Sequence, residues 1–279
     1  MRPLGFGHLG LKGHLHLVCD RAHDDSSYLR EKSFAVPLHV SKPYWDGNCL
    51  LVNLVSPTAG MLEGDHVDCE VQVEPGASLV LSAPAATRVH TMQGGGTAKL
   101  TQQFLVHAGG FLEYNPEPLI LQRGSTFCQN TRIELESGSE MLFLENLLSG
   151  RVTFGEAFAF DSFRNRLEII QDGALVALEN YTLASGSPTL RDWQSAFPKA
   201  SYGSFYSFSP QWQDQMPPVQ EIEAHQNADV LVGMSKIADC GWIVRILAES
   251  PIHLRRTIVS VREILLRGMG RSVTDLRRY

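Results

Sequence analysis

Pro75-Gly76-Ala77-Ser78-Leu79-Val80-Leu81 is the first of four segments in which a glycine turn leads into a short apolar strand. The other three are Ala108-Gly109-Gly110-Phe111-Leu112-Glu113-Tyr114, Ser137-Gly138-Ser139-Glu140-Met141-Leu142-Phe143 and Asp172-Gly173-Ala174-Leu175-Val176-Ala177-Leu178. Successive copies lie roughly thirty residues apart, a period typical of solenoids and stacked sheets. The repeat predicts a mainly β fold whose sheets stack in a solenoid-like or layered arrangement. Four unrelated hairpin turns are the simpler alternative, because glycine turns are common in β proteins.

Composition and charge limit the class of protein. The 279 residues are 43% hydrophobic, which is enough apolar material for a sizeable core, and no shift in composition divides residues 1–279 into more than one domain. A net charge of -6 argues against nucleic-acid binding, and no apolar run is long enough for a membrane span. Five scattered cysteines without a C-x-x-C pair, and no secretion-signal pattern, predict a reducing, cytoplasmic setting.

Local patterns predict most of the secondary structure. Alternation of apolar and polar residues across Val67–Glu74 indicates a half-buried strand. Residues 21–32 are polar and predict a hairpin loop, whereas residues 179–218, with their Pro and Gly punctuation, predict irregular or partly helical structure. An amphipathic helix is expected at Pro251–Arg267, with one stripe of buried residues. That stripe consists of Leu254, Ile258, Val261 and Leu265.

The C-terminal region is basic, although the whole chain is acidic. Eight arginines and three acidic residues lie between Arg245 and Arg278. This excess predicts either a docking surface for an acidic partner or a solvated helix face.

Carboxylates on predicted turns are the main candidates for chemistry. Glu63 and Asp65 lie on a tight loop, and Arg151 and Glu156 frame a second turn. Such carboxylates bind metal ions or act as general acids and bases. Alternatively, Asp65 and Glu156 accept hydrogen bonds from turn amides.

Two other patterns are weaker. His14 and His16 share one face of a predicted strand, which suits nickel or zinc but also suits a partly exposed strand. Gly94-Gly95-Gly96 lacks the residues of a phosphate-binding loop and predicts a flexible hairpin tip.

A set of short motifs occurs in a fixed order along nearly the whole chain. They are Val36–Tyr44, Thr58–Asp65, Ala85–Val89, Glu113–Pro118, Ser149-Gly150-Arg151 with Gly155-Glu156, and Arg277-Arg278-Tyr279. In this order they resemble the motifs of the urease accessory protein UreD (UreH) family. Three positions depart from that pattern: Ala59 replaces the first glycine of a pair, Pro84 a glutamine, and His90 a tyrosine. Ala59 implies an ordinary φ or a shifted turn, and Pro84 implies an edge strand or a bulge.

The resemblance implies a non-enzymatic scaffold in the maturation of nickel urease. Such proteins bind apo-urease and the helical partner UreF, which recruits the nickel-carrying GTPase UreG, and they assist nickel delivery to the urease active site. No tightly bound cofactor is implied, only nickel in transit. The carboxylates expected near that nickel route are Glu63, Asp65, Glu145 and Glu156. The motif positions expected to contact partners or shape the loops are Gly60, Gly64, Thr87, Arg88, Pro116, Gly150, Arg151 and Gly155.

Two other functions stay open at this point. A β-solenoid acting on carbohydrate would use paired acids such as Glu145 and Glu156. It would stack sugars on exposed aromatic residues, for which the candidates are Tyr202, Phe205 and Tyr206. An adaptor that carries no metal differs from the urease scaffold only in nickel-dependent assays.

Overall fold

The computed structural model describes residues 10–184 and 186–276. The strands are β1 (Lys12–Arg21), β2 (Ser27–Ala35), β3 (His39–Val40), β4 (Tyr44–Asp46), β5 (Cys49–Val55), β6 (His66–Val73), β7 (Ser78–Ala83), β8 (Thr87–Val89), β9 (Ala98–Val106), β10 (Phe111–Pro116), β11 (Leu119–Leu121), β12 (Thr126–Leu135), β13 (Glu140–Leu148), β14 (Ser162–Gln171), β15 (Ala174–Ala184), β16 (Ser201–Phe208), β17 (Val230–Ala238) and β18 (Gly241–Ala248). The helices are α1 (Pro188–Ala196), α2 (Gln211–Asp214), α3 (Val219–Glu223) and α4 (Pro251–Gly268), and a 3₁₀ turn covers Val152–Phe154.

Three of the four repeats stack as the sequence predicts. The strands of these copies, β7, β10 and β13, are parallel neighbours in one sheet, where Phe111 pairs with Ser78 on one side and Glu140 on the other. Each is preceded by a four-residue turn closed by a backbone hydrogen bond, as between Ala77 N and Glu74 O at 3.0 Å. The glycine in the third position of these turns has φ between 70° and 78°, which an L side chain rarely adopts.

The fourth repeat is different, and the prediction that it stacks with the others is wrong. Asp172 and Gly173 both have positive φ, at 49° and 79°, and they connect β14 directly to β15, with Gln171 paired to Ala174. Two central residues with positive φ are the geometry of a tight two-residue hairpin, which Asp-Gly favours. The chain therefore turns back within one sheet at this point and ends the solenoid.

Two sheets face each other, and the chain alternates between them from β5 to β14. The first sheet has seven strands in the order β15-β14-β12-β9-β6-β1-β2, parallel from β1 to β14 with an antiparallel strand at each edge. The second sheet has eleven strands, with β17-β18-β16-β13-β10-β7-β5-β3 as its main path. This arrangement confirms the solenoid-like, layered β fold.

Apolar side chains fill two layers. The main core lies between the sheets and includes Leu17, Phe104 and Phe143, all at most 2% exposed. A second core lies where α4 packs on the outer face of the second sheet. The predicted stripe of Leu254, Ile258, Val261 and Leu265 is buried there. The helix begins after Ser250, whose Oγ accepts a hydrogen bond from His253 N at 3.3 Å.

Two local predictions are right in part, since a hairpin loop lies at residues 22–26 and two helices, α1 and α2, lie within residues 179–218, but each misses a strand. Residues 27–35 form the edge strand β2, although the sequence predicts a loop over most of this segment. The surface of β2 is largely exposed and charged, so the strand has the composition of a loop. Within the stretch from residue 179 to 218, β16 is a central strand whose residues are nearly all buried. Because β16 has the main core on one face and the helix layer on the other, it shows no alternation of polar and apolar residues.

Some of the C-terminal arginines bind within the fold. Arg262 is buried on α4 and donates to both carboxylate oxygens of Glu113 on β10, with Nη2 to Oε2 at 3.0 Å. Arg271 pairs with Glu140 and lies over the ring of Phe111 at 4.5 Å. The expected basic end at residues 277–279 lies outside the described residues. Within residues 10–184 and 186–276, no helix combines the length and the apolar character needed to cross a membrane.

Candidate functional site

The family-like motifs meet at one end of the sandwich, opposite the stacked glycine turns. Met61 N, in the loop between β5 and β6, donates to Arg88 O at 2.7 Å. Thr87 N, at the start of β8, donates to Pro118 O at 3.1 Å. Strand β8 then pairs with β11, and β11 with β13. Segments far apart in sequence are thus joined by their backbones into one surface.

Two glycines allow this close packing of loops. Gly60 has φ 139°, and a Cβ on it would lie 2.4 Å from Arg88 O. Gly150 has φ 134°, and a Cβ on it would lie 2.4 Å from Glu156 O. Both positions therefore need glycine for backbone conformation and for space.

Asp65 closes the loop that carries Gly60. Its Oδ1 accepts a hydrogen bond from Leu11 N at 2.8 Å, and its Oδ2 accepts one from Leu62 N at 2.7 Å. Gly64, with φ 82°, makes the turn that directs this buried carboxylate inward. Asp65 thus binds turn amides, as the simpler interpretation of the sequence expects.

Glu63 lies beside Asp65 in sequence but contacts a different loop. Its two oxygens accept hydrogen bonds from Gly94 N and Gly96 N, both at 2.7 Å. A Cβ on either glycine would come within 2.7 Å of Glu63 Oε1. The glycine cluster is therefore a cradle for a carboxylate. It is not a hairpin tip as predicted, because the flanking strands β8 and β9 belong to different sheets.

Glu156 forms an ion pair within its own turn. Arg151 donates to both of its oxygens, at 2.8 and 2.6 Å, and this guanidinium lowers the pKa of Glu156 below its ordinary value. Arg123 N adds a hydrogen bond at 3.4 Å. Gly155, with φ 71°, ends the 3₁₀ turn between the two partners.

A polar cavity of about 60 Å³ lies between the two sheets near this end. Its walls include three of the candidate positions from the sequence analysis, Thr87, Pro116 and Glu145. Further polar residues that line it are Gln102, Tyr114, Glu117, Gln129, Asn146, Asn165, Tyr181 and Tyr202. A concave polar space inside a β sandwich is unusual, since interiors are normally apolar and close-packed.

Glu145 is a partly buried carboxylate in the wall of this cavity. Gln129 Nε2 donates to its Oε1 at 3.0 Å, and Asn165 Nδ2 lies 3.3 Å from both oxygens. Burial raises the pKa of Glu145 to about 7, and the nearby negative charge of Glu179 acts in the same direction. Among the described residues, no cation forms an ion pair with Glu145.

Two more oxygens in the cavity wall lack hydrogen-bond partners among the described residues. They are Asn146 Oδ1 and Asn165 Oδ1, both fully buried. Their amide nitrogens are used, since Asn146 Nδ2 donates to Pro116 O at 2.9 Å and Asn165 Nδ2 donates to Glu145. Together with Glu145, they provide oxygen ligands of the kind that divalent cations accept.

A broad groove of about 600 Å³ runs over the outside of the same end. Its lining combines family-motif positions with two departures from the family pattern, Ala59 and His90, and with Pro251 in the first turn of α4. The motif positions in the groove are Arg88, Gly150 and Arg151. Phe154, 75% exposed, forms part of the wall under the guanidinium of Arg151, 5.3 Å from the ring centroid.

The four predicted carboxylates do not form one ligand set. Glu145 lies in the cavity, whereas Glu63, Asp65 and Glu156 are bonded in the surrounding loops. In the part of the chain that the structure describes, the one group of three ligand side chains within 4.8 Å of one another is elsewhere.

The predicted histidine pair makes other contacts. His14 Nε2 lies 2.7 Å from Ser33 Oγ, and His16 lies between Glu70 and Glu31, at 3.2 and 3.3 Å. The two nitrogens of His16 face different carboxylates. This pair is therefore accounted for by contacts across strands β1, β2 and β6.

The positions that depart from the family pattern are accommodated locally. Ala59 is not among the described residues with positive φ, and its carbonyl oxygen lies 3.0 Å from His90 Nε2. Pro84 directly follows the last residue of β7, a central strand. The expected edge or bulge at Pro84 is therefore wrong, because the strand simply ends before it.

The aromatic run expected to stack sugars is mostly buried. Phe205 and Tyr206 are each 1% exposed. Tyr202 stacks on Trp193, with ring centroids 4.7 Å apart. These rings belong to the packing of β16, so the carbohydrate hypothesis loses its binding platform.

Comparison with known proteins identifies the family. A family model described as UreD urease accessory protein matches residues 11–278. The chain belongs to this UreD family. Every described motif used for the resemblance lies within the matched range.

Individual relatives match over most of their lengths. A urease accessory protein UreD from Opitutus terrae is 31% identical over 293 aligned positions, covering 95% of this chain and 98% of the relative. One from Acetivibrio thermocellus is 32% identical, covering 87% and 93%. A urease accessory protein UreH from Helicobacter hepaticus is 29% identical, covering 62% and 68%. A role as a urease accessory protein therefore follows for this chain.

Proposed function

We propose that this chain is a non-enzymatic scaffold that binds apo-urease together with UreF and UreG and assists nickel delivery to the urease active site. The observation that carries the proposal is the position of the family motifs. They line an internal polar cavity on one side and an exposed basic groove on the other. One feature suits an ion in transit and the other suits a protein partner.

The cavity has the chemistry of a transient ion site. A partly buried carboxylate with a raised pKa bears an electrostatic cost when ionised, and a bound cation relieves that cost. Glu145, with the unpartnered oxygens of Asn146 and Asn165, offers Ni²⁺ oxygen ligands without the Cys and His ligands of a tight site. Such a site binds weakly enough to release its ion, which delivery requires. We propose that Glu145 contacts nickel directly.

The other three carboxylates of the proposed route act on its shape. Glu63, Asp65 and Glu156 fix the loops around the cavity end through amide and guanidinium contacts. Substituting any of them is expected to alter nickel transfer through loop structure. No resident metal is part of the proposal.

The groove is the proposed docking surface for a protein partner. Arg88 is exposed, and no described residue forms an ion pair with it, while the neighbouring Phe154 offers a large apolar contact. An exposed arginine beside an exposed aromatic ring is typical of the residues that dominate binding energy at interfaces. The five free cysteines are in keeping with the proposed cytoplasmic setting.

A complementation experiment tests the proposal. Cells carrying a urease operon with its own UreD gene deleted receive this chain with its cognate UreF and UreG, and nickel content and urea hydrolysis of the purified urease are measured. Restored nickel loading is the expected result. A recovered complex with UreF and urease but without nickel would favour the adaptor that carries no metal, and the absence of any complex would overturn the scaffold itself.

Matched variants separate the cavity from the groove. Glu145→Gln is expected to reduce nickel loading while the complex still forms, and Glu134→Gln, on the outer face of the first sheet, serves as its control. Arg88→Glu is expected to prevent partner recovery, with Arg132→Glu on the outer face as its control. Equal effects of a variant and its control would contradict the corresponding assignment.

A further inference from the structure

We propose a second metal site, formed by Asp229, Glu249 and His253, that binds a divalent transition-metal ion of the nickel or zinc class. One ligand atom from each of these side chains lies within 4.8 Å of the others. The three residues belong to different elements: Asp229 precedes β17, Glu249 follows β18, and His253 lies in the first turn of α4. No residue of the proposed nickel route contributes a ligand.

The backbone holds the three residues in position. Glu249 N donates to Asp229 O at 2.9 Å, which extends the pairing of β17 with β18. Asp229 N donates to Asn227 Oδ1 at 2.8 Å. His253 N is bound by the capping Ser250 Oγ at 3.3 Å. The ligand-bearing positions are therefore fixed by secondary structure, a property that favours a preformed site.

Hydrogen bonds do not explain the positions of these three side chains. The imidazole of His253 forms no hydrogen bond with any described residue: Nδ1 is buried without a partner, and Nε2 lies 3.8 Å from Asp229 Oδ2. Neither carboxylate accepts a hydrogen bond from a described residue. A structural histidine normally uses at least one ring nitrogen when it is partly buried, so hydrogen bonding does not account for this ring.

Side-chain movement is enough to bring the three ligand atoms to the spacing of a metal site. Metal–ligand bonds of about 2.1 Å place neighbouring ligand atoms roughly 3.0–3.4 Å apart. His253 Nε2 and Asp229 Oδ2 are 3.8 Å apart and need about half an ångström of side-chain movement to reach that spacing. All three ligand atoms lie within 4.8 Å of one another, so a pair at that limit needs a movement of about 1.5 Å. His253 is 34% exposed and Asp229 49% exposed, which leaves both free to make this adjustment and leaves room for water ligands.

Charge and ligand type indicate the class of ion. Two carboxylates supply two negative charges, which outweigh the roughly half positive charge at the start of α4. Imidazole with carboxylate suits nickel and zinc, whereas an all-oxygen set would suit magnesium or calcium. Three protein ligands on a partly exposed surface predict modest affinity. Pro251, between Glu249 and His253 in the chain, lines the groove, so the site adjoins the proposed docking surface.

Metal binding by the full-length chain tests the inference. The purified protein is freed of metal with a chelator, and equilibrium dialysis then measures bound Ni²⁺ and, separately, bound Zn²⁺ per chain. We expect His253→Gln and the double variant Asp229→Asn/Glu249→Gln to bind one equivalent fewer than the native chain. His14→Gln, a change to another surface histidine, is the matched control and is expected to keep the full number.

Two results would overturn the site: no binding by the native chain, or equal binding by the native chain and both variants. Thermal melting in chelator checks that the variants are folded, and Asp229→Asn alone, a half-exposed isosteric change, replaces any variant that is not. The readout is bound ion per chain without urease. A negative result therefore leaves the proposed scaffold function standing, and a failed complementation leaves this site standing.

Discussion

Replacing Glu145 with glutamine removes a charge from the wall of the cavity and preserves the shape of the side chain. Gln129 Nε2 and Asn165 Nδ2 continue to find an oxygen acceptor at Oε1. The new NH₂ group faces Asn165 Nδ2, another donor. The bond from Asn165 Nδ2 to Oε1 remains, so the substitution costs one of the two contacts that Asn165 makes with this side chain.

The magnitude follows from the pKa of Glu145, which is about 7 in the folded chain against an ordinary value of 4.5. Between these values the folded state keeps the proton that the unfolded state has lost. The free energy of unfolding therefore falls as the pH rises through this window, and the full loss is about 3 kcal/mol above it. From pH 5 to pH 8 the loss is about 2.5 kcal/mol. Glutamine does not titrate, so Glu145→Gln escapes this loss.

Urea denaturation of the native chain and Glu145→Gln at pH 5, 6, 7 and 8 measures the effect. The variant is expected to gain about 2.5 kcal/mol relative to the native chain between pH 5 and pH 8. This corresponds to roughly 5 °C in melting temperature for a chain of this length. In the complementation experiment the same variant is expected to lose nickel loading, so stability and activity change in opposite directions.

A difference in stability that is the same at pH 5 and pH 8 would refute the reasoning, because it would mean that Glu145 titrates normally in the folded chain. Glu134→Gln is the control for the general effect of removing a carboxylate. Glu134 lies on the outer face of the first sheet, about half exposed and paired with Arg132. Its substitution is expected to change stability by less than about 1 kcal/mol at every pH.

Three further predictions concern the architecture. Arg262→Met leaves the buried charge of Glu113 unpaired and is expected to lower the free energy of unfolding, measured in urea, by about 3–5 kcal/mol. The double variant with Glu113→Leu is expected to recover most of this loss. No recovery would contradict the pairing. Gly60→Ala is expected to lower the melting temperature much more than Gly95→Ala does. Both glycines have positive φ, but only a Cβ at Gly60 would clash with backbone, at 2.4 Å. Equal losses would mean that positive φ alone determines the cost of the substitution. Ser250→Ala removes the cap of α4 and is expected to cost about 1 kcal/mol of unfolding free energy, with an unchanged value counting against the cap.

The sequence is sufficient to predict those parts of the fold whose pattern is local. The repeated turns before β7, β10 and β13 are visible because each coil of the solenoid places glycine at the same step. The stripe of α4 is visible because the helix is buried on one face only. By contrast, β16 is buried on both faces and β2 is exposed at an edge, so neither shows the alternation that identifies a half-buried strand.

The hairpin that ends the solenoid shows how a correct repeat can give a wrong inference. Asp172-Gly173 fits the repeat as well as the other copies do, yet it forms a hairpin because both residues have positive φ. The glycine at each of the stacked turns is instead preceded by residues that keep negative φ. The identity of the residue before glycine, aspartate here, favours the tight hairpin and separates the two outcomes.

The cavity is the part of the site that motif reasoning missed, although its signal is present in the strands. Along β9, β12 and β14 every second residue points into the core, and Gln102, Gln129, Thr131 and Asn165 occupy such inward positions. They lie next to one another across the sheet, Gln102 beside Thr131 and Gln129 beside Asn165, on strands that are neighbours only after folding. Four inward polar residues on three adjacent strands would each cost stability if they stood alone. Their alignment gives several of their polar atoms a partner: Thr131 Oγ1 donates to Gln102 Oε1 at 3.2 Å, and Gln129 donates to Glu145, although Asn165 Oδ1 has no partner among the described residues. An interruption of the inward apolar pattern at the same level of successive coils is therefore the feature by which such a cavity can be recognised in a solenoid sequence.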